Sequence, residues 1–273
     1  MIVDAKLRRS RQIRGRYDDQ IAEVKRNILT ILNHEFRTPL TYMVAYSDML
    51  NSDAESLTAD ELRSFLRGVN SGADRFRRLV ENFIALVELE TGEAAQNFSW
   101  RSGLITDVTP IILEVIEMCQ LFAADRGVTI LTDVPEQTPA FVGDREYLRA
   151  ALAQLVENGI KFSDKPEAKV ALRVTADDRH IRFAVQDWGR GIKAEEFDKI
   201  WNPFYQVNRS LHEDQGAGSG LAIVMGITEL HGGQVELESQ YGEGSTFTLV
   251  LPLATEADRA RLNKRSGQPA AGR

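Results

Sequence analysis

The chain has one cysteine, four histidines and, in its first 95 residues, a single proline. One thiol cannot close an internal disulfide, so the composition suits a reducing compartment. Cys119 lies in the apolar stretch Ile111–Ala124 and reads as a small core residue. No run approaches about 18 uncharged apolar residues, and no apolar signal segment opens the chain. Internal repeats and low-complexity runs are also missing. An excess of base is lacking too: 33 Lys and Arg face 40 Asp and Glu, a formal net charge of −7, which argues against a nucleic-acid partner. With 43% apolar and 27% charged residues, the 273-residue chain can fill a core, stay soluble and form two domains. These features point to a soluble, cytoplasmic molecule.

The charge is uneven. Residues 1–26 hold eight bases and four acids, leaving 25 bases against 36 acids in the remainder. A basic opening is compatible with a membrane surface or nucleic acid, but it more commonly forms the solvated face of a helix.

The first 95 residues read as helix. Ile21, Val24, Ile28, Ile31 and Leu32 recur at three- and four-residue spacing and build one apolar stripe. Asn51–Thr58 breaks the pattern, and Thr58 with Glu61 three residues on has the form of a capping box for a second helix. That helix carries Leu62, Phe65, Leu66, Val69, Ala73, Phe76, Leu79, Val80, Phe83 and Val87. Two such helices joined by a short turn make an antiparallel hairpin. One hairpin buries too little alone, so two are expected to pair as a four-helix bundle, a homodimer.

From about residue 98 the pattern changes. Phe98–Trp100 and Val128–Asp133 read as strands, with Ile105–Arg126 and Asp144–Phe162 as helices. Lys169–Thr175 and His180–Asp187 alternate as strands across the Asp177-Asp178 turn. Leu221–Leu230 reads as a helix, followed by a closing hairpin of Gln234–Ser239 and Ser245–Leu251. This interleaving predicts a two-layer α/β sandwich. The polar tail after Leu253 reads as frayed.

Three stretches carry candidate chemistry. In Asn33-His34-Glu35-Phe36-Arg37-Thr38-Pro39-Leu40, Pro39 removes a helical donor and frees the Glu35 carbonyl, so a bend is expected beside His34. A carboxylate accepting one imidazole N–H leaves the other ring nitrogen as a nucleophile. Zinc is excluded there, because the two-histidine helix motif requires a second histidine where Thr38 stands. Next come three glycine clusters, Asp187-Trp188-Gly189-Arg190-Gly191, Gly216-Ala217-Gly218-Ser219-Gly220-Leu221 and Gly242-Glu243-Gly244-Ser245-Thr246. The second opens a helix, where free N–H groups and the helix dipole attract phosphate. It follows no strand and lacks Gly-Lys-Ser/Thr, which excludes the Rossmann and P-loop explanations. Finally, Asp187 ends a strand with a carboxylate suited to an amino-group donor such as adenine. Asn158 and Lys161 share a helix face, offering an oxygen ligand for Mg²⁺ and a cation for phosphate.

Together these residues resemble the catalytic core of a sensor histidine kinase over about residues 18–252. The His34–Leu40 stretch is similar to the family's phospho-acceptor box, and Leu155-Val156-Glu157-Asn158-Gly159-Ile160-Lys161-Phe162 to its asparagine box. Asp187–Gly191 resembles the first glycine box, whose Asp binds adenine. Ile200-Trp201-Asn202-Pro203-Phe204-Tyr205-Gln206 resembles the phenylalanine box at the start of the mobile ATP lid. The other two glycine clusters, Gly216–Leu221 and Gly242–Thr246, follow in family order. Two positions depart from the pattern: Gln154 stands where the family often has Asn, and Ser219 where Leu is common. Gyrase-type hydrolytic relatives tend to carry a water-activating Glu at the first position; Gln154 has no basic carboxylate, which fits phosphoryl transfer.

The resemblance implies a signalling helix over 1–17, a dimerisation and phospho-acceptor domain over 18–95, a catalytic domain over 96–253 and a flexible tail over 254–273. It implies ATP as cofactor beneath a lid at about Lys193–Gln215, with Mg²⁺ on Asn158 and the phosphates on Lys161 and the Gly216, Gly218 and Gly220 segment. Asp187, Gly189, Gly191, Phe204, Tyr205, Leu221 and Thr246 complete the implied nucleotide site. His34 would take the γ-phosphoryl group with help from Glu35 and pass it to an Asp of a response-regulator receiver domain. Thr38 would position water for a phosphatase reaction on that partner. The competing readings are a degenerate ATP-binding scaffold and a plain ATP hydrolase. A longer native protein could be membrane-anchored.

Overall fold

The computed structural model describes residues 36–52, 57–163, 165, 167–207 and 218–266. The apolar stripe at 21–32, His34, Glu35, Gly216 and the lid residues 208–215 lie outside the described residues, as do the expected signalling helix and the end of the tail. The chain divides into two compact units that meet between Glu81 and Asn82. Among the described residues, no helix is long and apolar enough to cross a membrane.

The first unit is built on two helices, α1 over 36–52 and the start of α2, Ala59–Thr91. The capping box forms as expected: the Thr58 amide donates to Glu61 Oε2 at 2.9 Å, and Thr58 Oγ1 accepts from the Glu61 amide at 3.3 Å. Phe36 meets Phe76 edge-on at 5.4 Å between centroids, while Tyr46 meets Phe65 at 6.1 Å. Partners run backwards along α2 as α1 advances, so the hairpin is antiparallel. Gly72 permits the close approach: a β-carbon there would lie 2.6 Å from Met43 Cγ and 3.3 Å from the Pro39 carbonyl.

In the second unit α2 ends at a left-handed Gly92, with φ of 78°, and α3 follows over Glu93–Arg101. Phe98–Trp100, read from sequence as a strand, therefore lies inside a helix. Tertiary packing outweighs aromatic strand preference here: Ala94 is buried, and the Phe98 ring sits edge-on to His231 at 4.8 Å. The strand comes later, as β1 (Gly103–Ile105), so the helix expected from Ile105 starts instead at Thr109 with Pro110 in its first turn.

There follow α4 (Thr109–Asp125), β2 (Thr129–Asp133), β3 (Phe141–Gly143), α5 (Arg145–Phe162), β4 (Lys169–Ala176) and β5 (His180–Asp187). After a 3₁₀ turn at Ala194–Glu196 come α6 (Gly220–Leu230), β6 (Gln234–Gln240), β7 (Gly244–Pro252) and α7 (Glu256–Ser266). The tail after Leu253 thus holds a helix rather than fraying at once. Its own capping box explains it, with Thr255 Oγ1 donating to Asp258 Oδ2 at 2.6 Å and accepting from the Asp258 amide at 3.2 Å.

The main sheet has the order β2-β4-β5-β7-β6, with β2 and β4 parallel and the other pairs antiparallel; β1 and β3 form a small separate sheet. Alternation assigns the faces. Ile181, Phe183, Val185 and Asp187 on β5 are buried, as are Val170, Leu172 and Val174 on β4. They meet α5, while α4, which carries the fully buried Cys119, packs on α5 and β2, and α6 packs on α5, β6 and β7. The opposite face is polar and bears cross-strand pairs such as Arg182–Glu236 at 3.0 Å and Arg173–Asp133 at 3.0 Å. The result is the expected two-layer α/β sandwich following a helical region.

Candidate nucleotide site

The site gathers where α5, the end of β5 and the start of α6 converge. Helix α5 keeps its core face on the sheet and presents Gln154, Asn158 and Lys161, all half-buried, one turn after another. Gly159 lets α5 approach the sheet: a β-carbon there would lie 3.0 Å from Val170 and 3.6 Å from Asp187 Cβ. Asp187, 7% exposed, terminates β5 and its carboxylate accepts the Gly189 amide at 2.9 Å. Burial pushes its pKa up, an effect the Gly189 and Ser245 amides and the Lys165 charge only partly offset.

Glycines hold this end of the sheet together. Gly191 has φ of 64°, and side chains at Gly189 and Gly191 would collide with the carbonyls of Phe162 and Gln240 respectively. At the first residue of α6, a β-carbon on Gly220 would lie 2.6 Å from Gln154 Oε1 and 3.7 Å from Asn158 Nδ2. The N-cap residue Ser219, 2% exposed, makes no side-chain capping bond, so the opening amides of α6 have no side-chain cap. Gln154 Nε2 in turn donates to Asn82 Oδ1 on α2 at 2.8 Å.

Phe204 is buried with φ of 65°, and its amide donates to the Gly218 carbonyl at 3.0 Å, which ties the phenylalanine-box segment to the residues before α6. Tyr205 donates its hydroxyl to Glu196, and that bond is the main cause raising the phenol's pKa. Leu221 lies in the first turn of α6, half-buried. Lys161 Nζ stands 5.1 Å from the Phe162 ring centroid. Thr38 is half-buried on α1 in the first unit.

Thr246 is placed differently from expectation. It pairs with Gln186 across the β5–β7 ladder, whereas Ser245 pairs with Asp187. Paired residues share a face, so Ser245, buried, stands on the Asp187 side and Thr246 on the open polar face. Alternation within β7 puts the two on opposite faces, and the cross-strand register decides which of them joins Asp187. Asn82, in contrast, gave no motif signal at all.

The residues fit a magnesium nucleotide. Uncapped amides at the start of α6 suit phosphate, the Asn158 and Gln154 carboxamides offer neutral oxygens, and Asp187 offers a buried acceptor.

Comparison with known proteins agrees with this geometry. A family described as the histidine kinase-, DNA gyrase B- and HSP90-like ATPases matches residues 143–255, which defines an ATP-binding domain. The His Kinase A phospho-acceptor domain matches residues 24–92. The chain belongs to the histidine kinases and comprises the catalytic core of a sensor kinase of two-component signalling. It is 29% identical over 234 residues to the circadian input-output histidine kinase CikA of Synechococcus elongatus, covering 85% of this chain and 30% of CikA. Full-length ShkA in complex with AMPPNP is 29% identical, with 84% of this chain and 46% of ShkA covered and a TM-score of 0.58. Histidine kinase ThkA in complex with the response regulator TrrA shares the fold at 18% identity, with 84% of this chain and 61% of ThkA covered and a TM-score of 0.59. The chain spans only 28–55% of the length of its curated relatives.

Proposed function

We propose that this core binds Mg-ATP, moves the γ-phosphoryl group to His34 and hands it to an aspartate of a response-regulator receiver domain. The observation that carries this reading is the convergence of Gln154 and Asn158 on the uncapped start of α6, beside a buried Asp187. His34 falls within the phospho-acceptor match. Asp187 accepts the adenine amino group, and its burial keeps water from competing for that bond. Lys161 and the opening amides of α6 neutralise phosphate charge. Mg²⁺, when bound, would supply neutralisation of phosphate charge. Asn158 would hold the ion through its carboxamide oxygen together with the bound phosphates.

Glu35 orients the His34 imidazole so that one ring nitrogen attacks phosphorus in line as the bond to the ADP oxygen breaks. Thr38, four residues further on, holds water for the reverse duty, dephosphorylating the receiver domain. Gln154 lacks a basic carboxylate, which disfavours simple hydrolysis. Exposed apolar rows support dimerisation. Leu40 and Val44 on α1, and Leu62 and Leu66 on α2, remain 43–58% exposed on the single hairpin, and a second copy would cover them. The complex of ThkA with its regulator supports the choice of partner class.

The test is incubation with γ-labelled ATP and Mg²⁺. The protein is expected to take up an acid-labile, alkali-stable label that disappears in His34→Gln. Unchanged ATP turnover in that variant, with no phosphoprotein, would overturn the reading in favour of a hydrolase.

A further inference from the structure

Gln154 is held at both ends. Its amide nitrogen donates to Asn82 Oδ1 on α2 at 2.8 Å, and its carbonyl oxygen lies 2.6 Å from the point a β-carbon on Gly220 would occupy. The two facts are linked by the chemistry of a carboxamide. With Asn82 Oδ1 as the acceptor, Gln154 gives its N–H end to α2 and leaves its oxygen facing the opening of α6. The reverse orientation would point an NH₂ group at uncapped backbone amides, donor against donor.

The stretch of α2 that follows Asn82 packs on α5 and α6. Leu86, one turn later, is buried, and Leu89 lies so close to α6 that a β-carbon on Gly226 would come within 2.8 Å of it. Glu88 accepts the hydroxyl of Tyr147 on α5. The end of α2 is therefore docked on α5 and α6, with Asn82 at the phosphate end of the docked stretch.

We propose that Asn82 is a positioning residue for the cation-and-phosphate end of the nucleotide site, acting through the Gln154 carboxamide. The proposal rests on the Mg-ATP reading above. Held by Asn82, Gln154 presents a neutral oxygen one helical turn before Asn158, so two carboxamides face the place where a hard cation and phosphate oxygens meet. Without Asn82 the Gln154 amide loses the partner on α2 that sets this orientation. The longer Gln at this position, in place of the family's Asn, provides the reach for a partner on α2.

The experiment is a double-mutant cycle on the whole chain, read by calorimetric binding of ATP with excess Mg²⁺ and of ATP in EDTA. The variants are Asn82→Leu, Gln154→Leu and the pair together, with Asn82→Asp as the version that keeps the acceptor oxygen. Each single leucine variant is expected to lose about 3- to 10-fold in Mg-ATP affinity, less than the 10- to 100-fold typical of outer-shell partners at all-protein metal sites. ATP in EDTA should bind with little change. The pair should be no worse than Gln154→Leu alone, and Asn82→Asp should retain the preference for Mg-ATP. Losses that simply add, or an unchanged ratio of Mg-ATP to ATP affinity in Asn82→Leu, would overturn the positioning role while leaving the ATP site intact. Wild-type protein that binds no nucleotide would instead overturn the ATP-site reading, and the positioning role with it.

Discussion

Arg101 Nη2 lies 2.7 Å from the carboxylate of Asp144, which is 1% exposed and caps α5 by accepting the amides of Glu146 and Tyr147. The pair joins the last residue of α3 to the first turn of the helix that carries Asn158. A buried carboxylate stripped of its cation is expensive, though Arg101 itself is 44% exposed and water screens it in part. Arg101→Met is expected to cost about 1–3 kcal/mol, read as a lower urea midpoint for the ATP-binding unit.

Asp187 combines an expected role in binding with a cost in stability. Its pKa is raised by burial, so the folded value stands above the unfolded one. The stability associated with the protonated form is complete below the unfolded pKa and is lost as pH rises through the folded pKa. At neutral pH the carboxylate therefore weakens the free protein. Asp187→Asn should raise the melting temperature without nucleotide while lowering ATP affinity at least about tenfold, roughly the worth of one charged hydrogen bond. A variant that loses both stability and binding would contradict this account.

His231 works in the opposite direction. Its Nδ1 pairs with the Ile227 carbonyl at 2.8 Å and its Nε2 accepts the Asp144 amide at 3.2 Å, which defines a neutral tautomer. Burial is the main cause depressing its pKa. Stability due to this group is complete above the unfolded value and is lost as pH falls toward the folded one. Denaturation series between about pH 7 and 5 should show His231→Gln losing less stability on acidification than the parent.

Helix α7 offers a local test. Thr255→Ala removes both bonds of the Thr255 hydroxyl while the Thr255 amide still donates to Asp258 Oδ2, and should cost about 1 kcal/mol. Faster amide exchange is expected over Glu256–Ser266, with the main sheet unchanged.

The Thr255-x-x-Asp258 pattern also shows how the sequence was readable in part. The same arrangement at Thr58 and Glu61 marks the start of α2, where an apolar stripe follows and makes the signal easy to weigh. After Thr255 the segment is mostly charged, and composition concealed an equally good cap. The strand assigned to Phe98–Trp100 failed for a different reason, since its contact with His231 spans most of the ATP-binding unit and leaves no local trace. Local motifs singled out Asp187, Asn158 and the opening of α6, which the fold gathers at one end of the sheet. The Ser245 and Thr246 faces needed cross-strand register, and Asn82 needed the docking of α2, which no spacing encodes.

Helix α5 carries core residues such as Leu148, Leu152, Leu155 and Ile160 on one side and Gln154 and Asn158 on another. The two sets are locked in angular phase. Inserting a single residue midway would swing everything beyond it by about 100° around the axis, sending Asn158 away from the opening of α6 even if the core repacked. An insertion of seven residues nearly restores the phase but lengthens the helix by about 10 Å. The spacing between Asp144 and Asn158 is thus a fixed dimension of the site, and length changes in this domain can be absorbed only in its loops.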